Sequence, residues 1–202
     1  MNPRTLHTRG FLLRKEEAKS SYLKINFFSQ DIGSILCMYR ISKKKTAPDL
    51  FDFAELSLKK ADQGDLYFIE DYQLLERFHG IGKDYKKLQY TCEFCKLLAN
   101  NPIENQSIQA LYSLCDKSLR AWNQDTNWPE VVFFKAFYLY LKIEGLPVKE
   151  DWIVRLKQTE RNNCKEILTS SLDSLSHEKE IIEGLVDSLK KWVKSNAGFI
   201  FS

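Results

Sequence analysis

The residues best able to do chemistry in this chain are cations. Lys43, Lys44 and Lys45 are consecutive, with Arg40 just before them, and Arg14, Lys15, Lys24, Lys59 and Lys60 precede or follow within the first sixty residues. Clustered ammonium and guanidinium groups neutralise neighbouring phosphates and release their counterions, so this pattern points to a polyanionic ligand. Tyr22, Phe27, Phe28 and Tyr39 are interleaved with the cations and are candidates for a base-stacking platform. On a strand, Phe27 and Phe28 point to opposite faces, so at least one of them belongs to a core.

The residue types that serve covalent and metal chemistry are present without the spacing it needs. Cys92-Glu93-Phe94-Cys95 has the form of half a zinc site or a redox pair, but no second Cys-x-x-Cys or His pair supplies two more ligands. Inside a helical pattern that spacing puts both thiols on the apolar stripe with Leu88 and Leu98, where core cysteines are the expectation. His7, His79 and His177 are far apart in sequence. Gly80-Ile81-Gly82 lacks the third glycine of a dinucleotide loop and reads as a turn. No Gly-x-Ser-x-Gly and no phosphate loop ending in Gly-Lys-Ser/Thr occurs. Glu16-Glu17 reads as part of a solvated loop. The expectation is a protein without catalytic residues, metal, cofactor or small-molecule substrate.

The elements that must position the cations come in two kinds. Residues 5–14, 22–28, 34–41, 50–60 and 66–70 are short runs of β-branched, aromatic or alternating residues, separated by turns at 29–33 and 61–65. Gly33 suits a hairpin turn that requires positive φ. Five short strands in about seventy residues predict a small closed barrel, an OB-fold, which leaves no unpaired edge. Past Asp71 the apolar period becomes helical. Residues 84–100, 107–122, 129–144, 162–175 and 178–195 predict helices, with Pro129 suited to a first turn and Gly145-Leu146-Pro147 ending the third. The third is apolar nearly all round and should be central. The fold class expected is therefore α+β: a barrel over 1–78, then an all-α domain over 79–202.

Bulk properties agree with a folded, soluble chain. Of 202 residues, 44% are hydrophobic and 28% charged, and no apolar run spans a bilayer. The first residues lack the apolar stretch of a secretory signal, and five cysteines make an odd set, so a cytoplasmic protein with reduced thiols and no membrane association is expected. The net charge is only +3, but it is unevenly spread. Up to Lys60 there are twelve basic and six acidic residues, against eighteen and twenty-one beyond. The basic part is the one expected to meet the polyanion.

The chain resembles the RecO family of bacterial recombination mediators along almost its whole length. Gly10-Phe11-Leu12-Leu13-Arg14 is similar to that family's first barrel strand, and Leu23–Gly33 to its hairpin. Tyr39-Arg40-Ile41-Ser42-Lys43-Lys44-Lys45 stands where the family has a basic strand end, and Pro48…Phe51-Asp52-Phe53-Ala54-Glu55-Leu56 resembles the next strand. Phe133-Phe134-Lys135-Ala136-Phe137…Leu141…Gly145-Leu146-Pro147 resembles the family's helix and its exit. The resemblance implies binding and annealing of single-stranded DNA, binding of double-stranded DNA, and contact with the tail of single-strand-binding protein. It also implies help in loading RecA together with RecR.

Arg14, Lys15, Lys24, Arg40, Lys43, Lys44 and Lys45 are the candidate DNA contacts. Lys86, Lys87, Lys117, Arg120 and Trp122 are the candidates for an acidic partner peptide, with Trp128 and Trp152 as further possible anchors. Two features depart from the family. Only Cys164 follows the exit, so the four-cysteine zinc module of many relatives is missing, and the glycine of the basic strand end is replaced around Ile41-Ser42. The alternative reading is a protein-interaction adaptor that does not bind DNA.

Overall fold

Alternating burial builds five strands in the computed structural model, which describes residues 5–18, 21–42, 47–101, 103–125, 128–172 and 179–196. They are β1 (Leu6–Ala18), β2 (Tyr22–Ser29), β3 (Gly33–Arg40), β4 (Phe53–Lys60) and β5 (Leu66–Glu76). In β3, Ile35, Cys37 and Tyr39 enter the core while Leu36, Met38 and Arg40 point away. Gly33 has φ +74°, the left-handed conformation that the β2–β3 hairpin demands.

The strands close in the order β1-β2-β3-β5-β4, with β4 returning to β1. All pairs are antiparallel except β3 with β5, which is parallel. This is the α+β architecture anticipated, with an OB-like barrel at its N-terminal end. The chain divides into two compact units, Met1–Phe78 with Cys95–Tyr112, and His79–Phe94 with Ser113–Ser202.

Three strand limits differ by more than one residue from the expectation. β1 runs on to Ala18 instead of ending at 14, because its pairing with β2 extends through Glu16 and Glu17, which are therefore strand residues and not part of a loop. β4 begins at Phe53 rather than at 50, because the chain first turns through Phe51, whose φ is +66°. The Asp52 carboxylate holds that turn by accepting from the Asp49 backbone N–H at 2.8 Å. β5 runs on to Glu76, past the point where the helical period was expected to start. The full length of β4 pairs with it, from Lys60↔Tyr67 to Phe53↔Glu76, and this non-local pairing overrides the weak local signal of residues 71–76.

Outside the barrel wall, Phe11 stacks on Phe53 with centroids 5.0 Å apart and meets Tyr112 at 5.3 Å. Phe28 also faces Tyr112. In the same unit the Gln109 side chain donates to the Gln30 carbonyl at 2.7 Å. One outer side of the barrel is thus covered by its own aromatic residues and by residues 95–112.

Five α-helices follow among the described residues: α1 (Tyr85–Asn100), α2 (Ile108–Asn123), α3 (Pro129–Ile143), α4 (Gln158–Thr169) and α5 (Lys179–Asn196). Asp84 caps α1 by accepting from the Lys87 N–H at 2.8 Å. Pro129 occupies the first turn of α3. The end of α3 closes with the Leu146 N–H donating to the Leu141 carbonyl at 3.0 Å. α3 is buried nearly all round and packs against α4 and α5. Residues 148–153 form a π-helical turn that the sequence pattern did not reveal. No helix among the described residues is long and apolar enough to cross a membrane.

Gly80 precedes a 3₁₀ turn (Ile81–Lys83), and its N–H donates to Asn123 Oδ1 at 2.7 Å. A methyl group there would lie 2.1 Å from the Asn123 carbonyl oxygen, whereas one at Gly82 would meet nothing within 4 Å. Gly80→Ala is expected to lose about 1–3 kcal/mol of stability through overpacking. Gly82→Ala should stay within about 0.5 kcal/mol of the parent. Urea denaturation of the pair checks this, and equal midpoints would refute the close approach.

Candidate nucleic-acid interface

The side of the barrel opposite in character to the covered one carries a mixed apolar and basic face. Strand register defines it. Glu16 pairs with Lys24, Lys24 with Met38, Met38 with Phe68, and Phe68 with Lys59, making one row across all five strands. The adjoining row runs Arg14, Asn26, Leu36, Leu66. On the other side Tyr22 pairs with Arg40. With strands about 4.8 Å apart, Lys24 and Lys59 stand roughly 14 Å from each other along the curved surface, with Met38 and Phe68 between them.

Phe68 is 41% exposed on a rigid strand, and Leu36, Met38, Leu66 and Tyr22 are half-buried around it. A strip of exposed aromatic and aliphatic surface edged by cations can stack a base while holding the phosphates on either side of it. Lys24, Arg40 and Lys59 are exposed, and neither Arg40 nor Lys59 forms an ion pair with another described residue.

Carboxylates limit where phosphates can run. Glu16 lies 2.5 Å from the Arg14 guanidinium and 3.9 Å from Lys24 Nζ, so it partly neutralises both. Lys15 Nζ is 2.6 Å from Asp49. Burial acts to raise the Asp49 pKa, but the Lys15 hydrogen bond, the Leu50 N–H and the charges of Lys15 and Arg77 outweigh it and hold the carboxyl below its ordinary value. Lys15 is therefore engaged by its own chain. Asp62 and Asp65 occupy the β4–β5 loop, where Asp65 pairs with Lys60.

Of the seven cations marked in the sequence, Arg14, Lys24 and Arg40 belong to this face. Lys15 is turned to Asp49, and Lys43, Lys44 and Lys45 lie outside the described residues. Three of the four candidate stacking residues need correction: Phe27, Phe28 and Tyr39 are buried, the first and last in the barrel core and Phe28 against Tyr112. Only Tyr22 is on the face. Phe68 and Lys59 were missed as a pair. Their signal was the alternation Leu66, Phe68 on one side and Tyr67, Ile69 on the other, which does not say which side meets solvent.

The residues marked for an acidic peptide all belong to the helical unit, and two need correction. Trp122 is fully buried against Phe94, with its indole N–H donating to the Pro129 carbonyl at 3.1 Å. Lys87 is buried too, and its ammonium donates to the Gln124 carbonyl. Trp152 is likewise internal and donates to Ser188. Lys86 pairs with Glu183 at 3.1 Å and Arg120 with Asp116 at 2.8 Å, while Lys117 is exposed on α2. Trp128 is exposed.

All five cysteines carry free thiols. Cys95 is buried and Cys92 half-buried on α1, and burial pushes the Cys37 and Cys164 thiols up to about 12. Among the described residues no group of three His, Cys, Asp or Glu is placed to hold a metal ion. No protein-family model matches this chain, and no curated protein matches it.

Proposed function

We propose that this chain is a DNA-binding protein that works by non-covalent contact, with the open outer face of the barrel as its nucleic-acid surface. The observation that supports it best is the exposed Phe68 strip, edged by Lys24 and Arg40 on β2 and β3 and by Lys59 on β4. OB-type barrels bind oligonucleotides on the β2–β3 side, the side that carries this strip. Together with the resemblance to RecO, the reading is a recombination mediator. It binds and anneals single-stranded DNA, also engages double-stranded DNA, and works with RecR, RecA and the tail of single-strand-binding protein. Lys43, Lys44 and Lys45 follow Arg40 in the chain and add to the positive charge of this part of the sequence.

Fluorescence anisotropy of a labelled oligonucleotide, titrated with the protein at low and high salt, tests this reading. Tight binding at low salt that collapses at high salt is expected, because phosphate contacts release counterions. Phe68→Ala should weaken single-strand binding at least about fivefold, the lower end of the value of one stacked base. Affinity that ignores salt would reject the phosphate mechanism. No binding even at low salt would leave the adaptor reading in its place.

A further inference from the structure

The helical unit contains a cavity of about 400 Å³ where α3 begins, lined by Asp84, Lys86, Asp125, Trp128, Glu130 and Lys179. Glu130 is the unusual member. Its side chain is 4% exposed, and Oε2 is buried with no hydrogen-bond partner among the described residues. The nearest described cation, Lys179 Nζ, is 3.9 Å from Oε1, too far for a good charged hydrogen bond. A buried carboxylate oxygen left without a donor costs free energy, and the start of α3 offsets only part of that. A cation brought into the cavity beside the Glu130 carboxylate would offset part of it through its charge.

The other lining groups define the ligand's charge and shape. Lys86 is already paired with Glu183. Asp125 is exposed at the rim, 3.9 Å from the ammonium of Lys87. Three lining carboxylates against two lysines, one of them already paired with Glu183, disfavour an anion. A bare metal ion lacks its ligand set, since no three acidic or sulfur groups converge among the described residues. Trp128, 41% exposed at the residue that precedes α3, offers an aromatic surface to a flat or soft cation.

We propose that this cavity binds an organic cation of the guanidinium or ammonium class, with Glu130 as its carboxylate anchor and Trp128 as its aromatic wall. A guanidinium fits best, because its fork of N–H donors can reach a carboxylate while its face lies against the indole. Two sources carry that chemistry, an arginine side chain of a partner protein and a free diamine or polyamine. The site is independent of the DNA-binding reading.

Tryptophan emission of the full chain reports on the site, because Trp122, Trp152 and Trp192 are buried and Trp128 is not. The chain would be titrated with agmatine, with a capped Ala-Arg-Ala peptide, and with inorganic phosphate as the anionic control. A saturable emission change with agmatine or the peptide, and none with phosphate, is expected. Tighter binding of the peptide would identify a partner's arginine, and tighter binding of agmatine a free amine.

Glu130→Gln should weaken binding about tenfold, the worth of one charged hydrogen bond. Asp125→Asn, 80% exposed on the rim, should weaken it less. Melting of unliganded Glu130→Gln supplies a second readout: a Tm at or above the parent's is expected if Oε2 is uncompensated. Absence of saturation with both cations, binding unchanged in a folded Glu130→Gln, or a response to phosphate would each overturn the proposal.

Discussion

Neutralising Lys24, Arg40 and Lys59 together, as Gln, is expected to weaken single-stranded DNA binding about 100-fold at 0.1 M salt. Each phosphate contact to a single strand contributes about 0.7 to the slope of log affinity against log salt, so three contacts contribute about 2. Electrostatic gain is nearly gone at 1 M, and one decade of salt then converts that slope into about two decades of affinity. The variant's own salt slope should be lower by about 2. Stability should barely change, because all three side chains are exposed and the single ion-pair partner among the described residues, Glu16, is 3.9 Å from Lys24. Anisotropy titrations across a salt series read both the affinity and the slope. If the slope matched the parent's, DNA would be held elsewhere on the chain and the open barrel face would not be the interface.

Arg77→Met is expected to cost about 3–5 kcal/mol of folding stability, because it strands a buried carboxylate. Asp52 is fully buried between the barrel and the turn that precedes β4. Its carboxylate accepts from Arg77 Nε and Nη2, each at 2.7 Å, from the Tyr72 hydroxyl at 2.7 Å and from the Asp49 N–H at 2.8 Å. The hydrogen bond to Asp52 holds the Arg77 pKa above its ordinary value, and burial together with Asp52 raises that of Tyr72.

The loss should be asymmetric. Arg77 is partly exposed and can be hydrated once Asp52 is gone, whereas Asp52 without Arg77 has no route to water. The double variant Asp52→Leu/Arg77→Met should therefore be more stable than Arg77→Met alone, since it removes the stranded charge. Urea denaturation of the two variants checks the order. A single variant within about 1 kcal/mol of the parent would mean that the Asp52 charge is compensated by something other than Arg77.

Much of the fold was legible in the chain because it is written in local periods. Ile35, Cys37 and Tyr39 alternate with Leu36, Met38 and Arg40, so β3 and the division of its residues between two sides follow from two-residue spacing. Ile108, Leu111, Leu114, Cys115, Leu119 and Trp122 recur at helical spacing, and all are buried on α2. Pro129 and Gly145-Leu146-Pro147 bound α3 through backbone chemistry that needs no tertiary context. Trp122 shows where such reading stops. Its position near a helix end suits an exposed anchor or a buried plug equally well, and only Phe94 and the Pro129 carbonyl make it the latter.

The sequence by itself determined that the chain has strands followed by helices, that one side of each is apolar, and that its positive charge is concentrated in the first part. The tertiary structure alone decided the rest. β3 lies parallel to β5, a pairing between residues some thirty positions apart with no local signature, and it carries Met38 to Phe68. Barrel closure then gives every strand an outer side, and the aromatic residues there are sorted by what covers them. Phe11 and Phe28 are taken up by Tyr112, while Phe68 remains open between cations. Strand period says which residues share a side; only packing of distant elements says which side meets water.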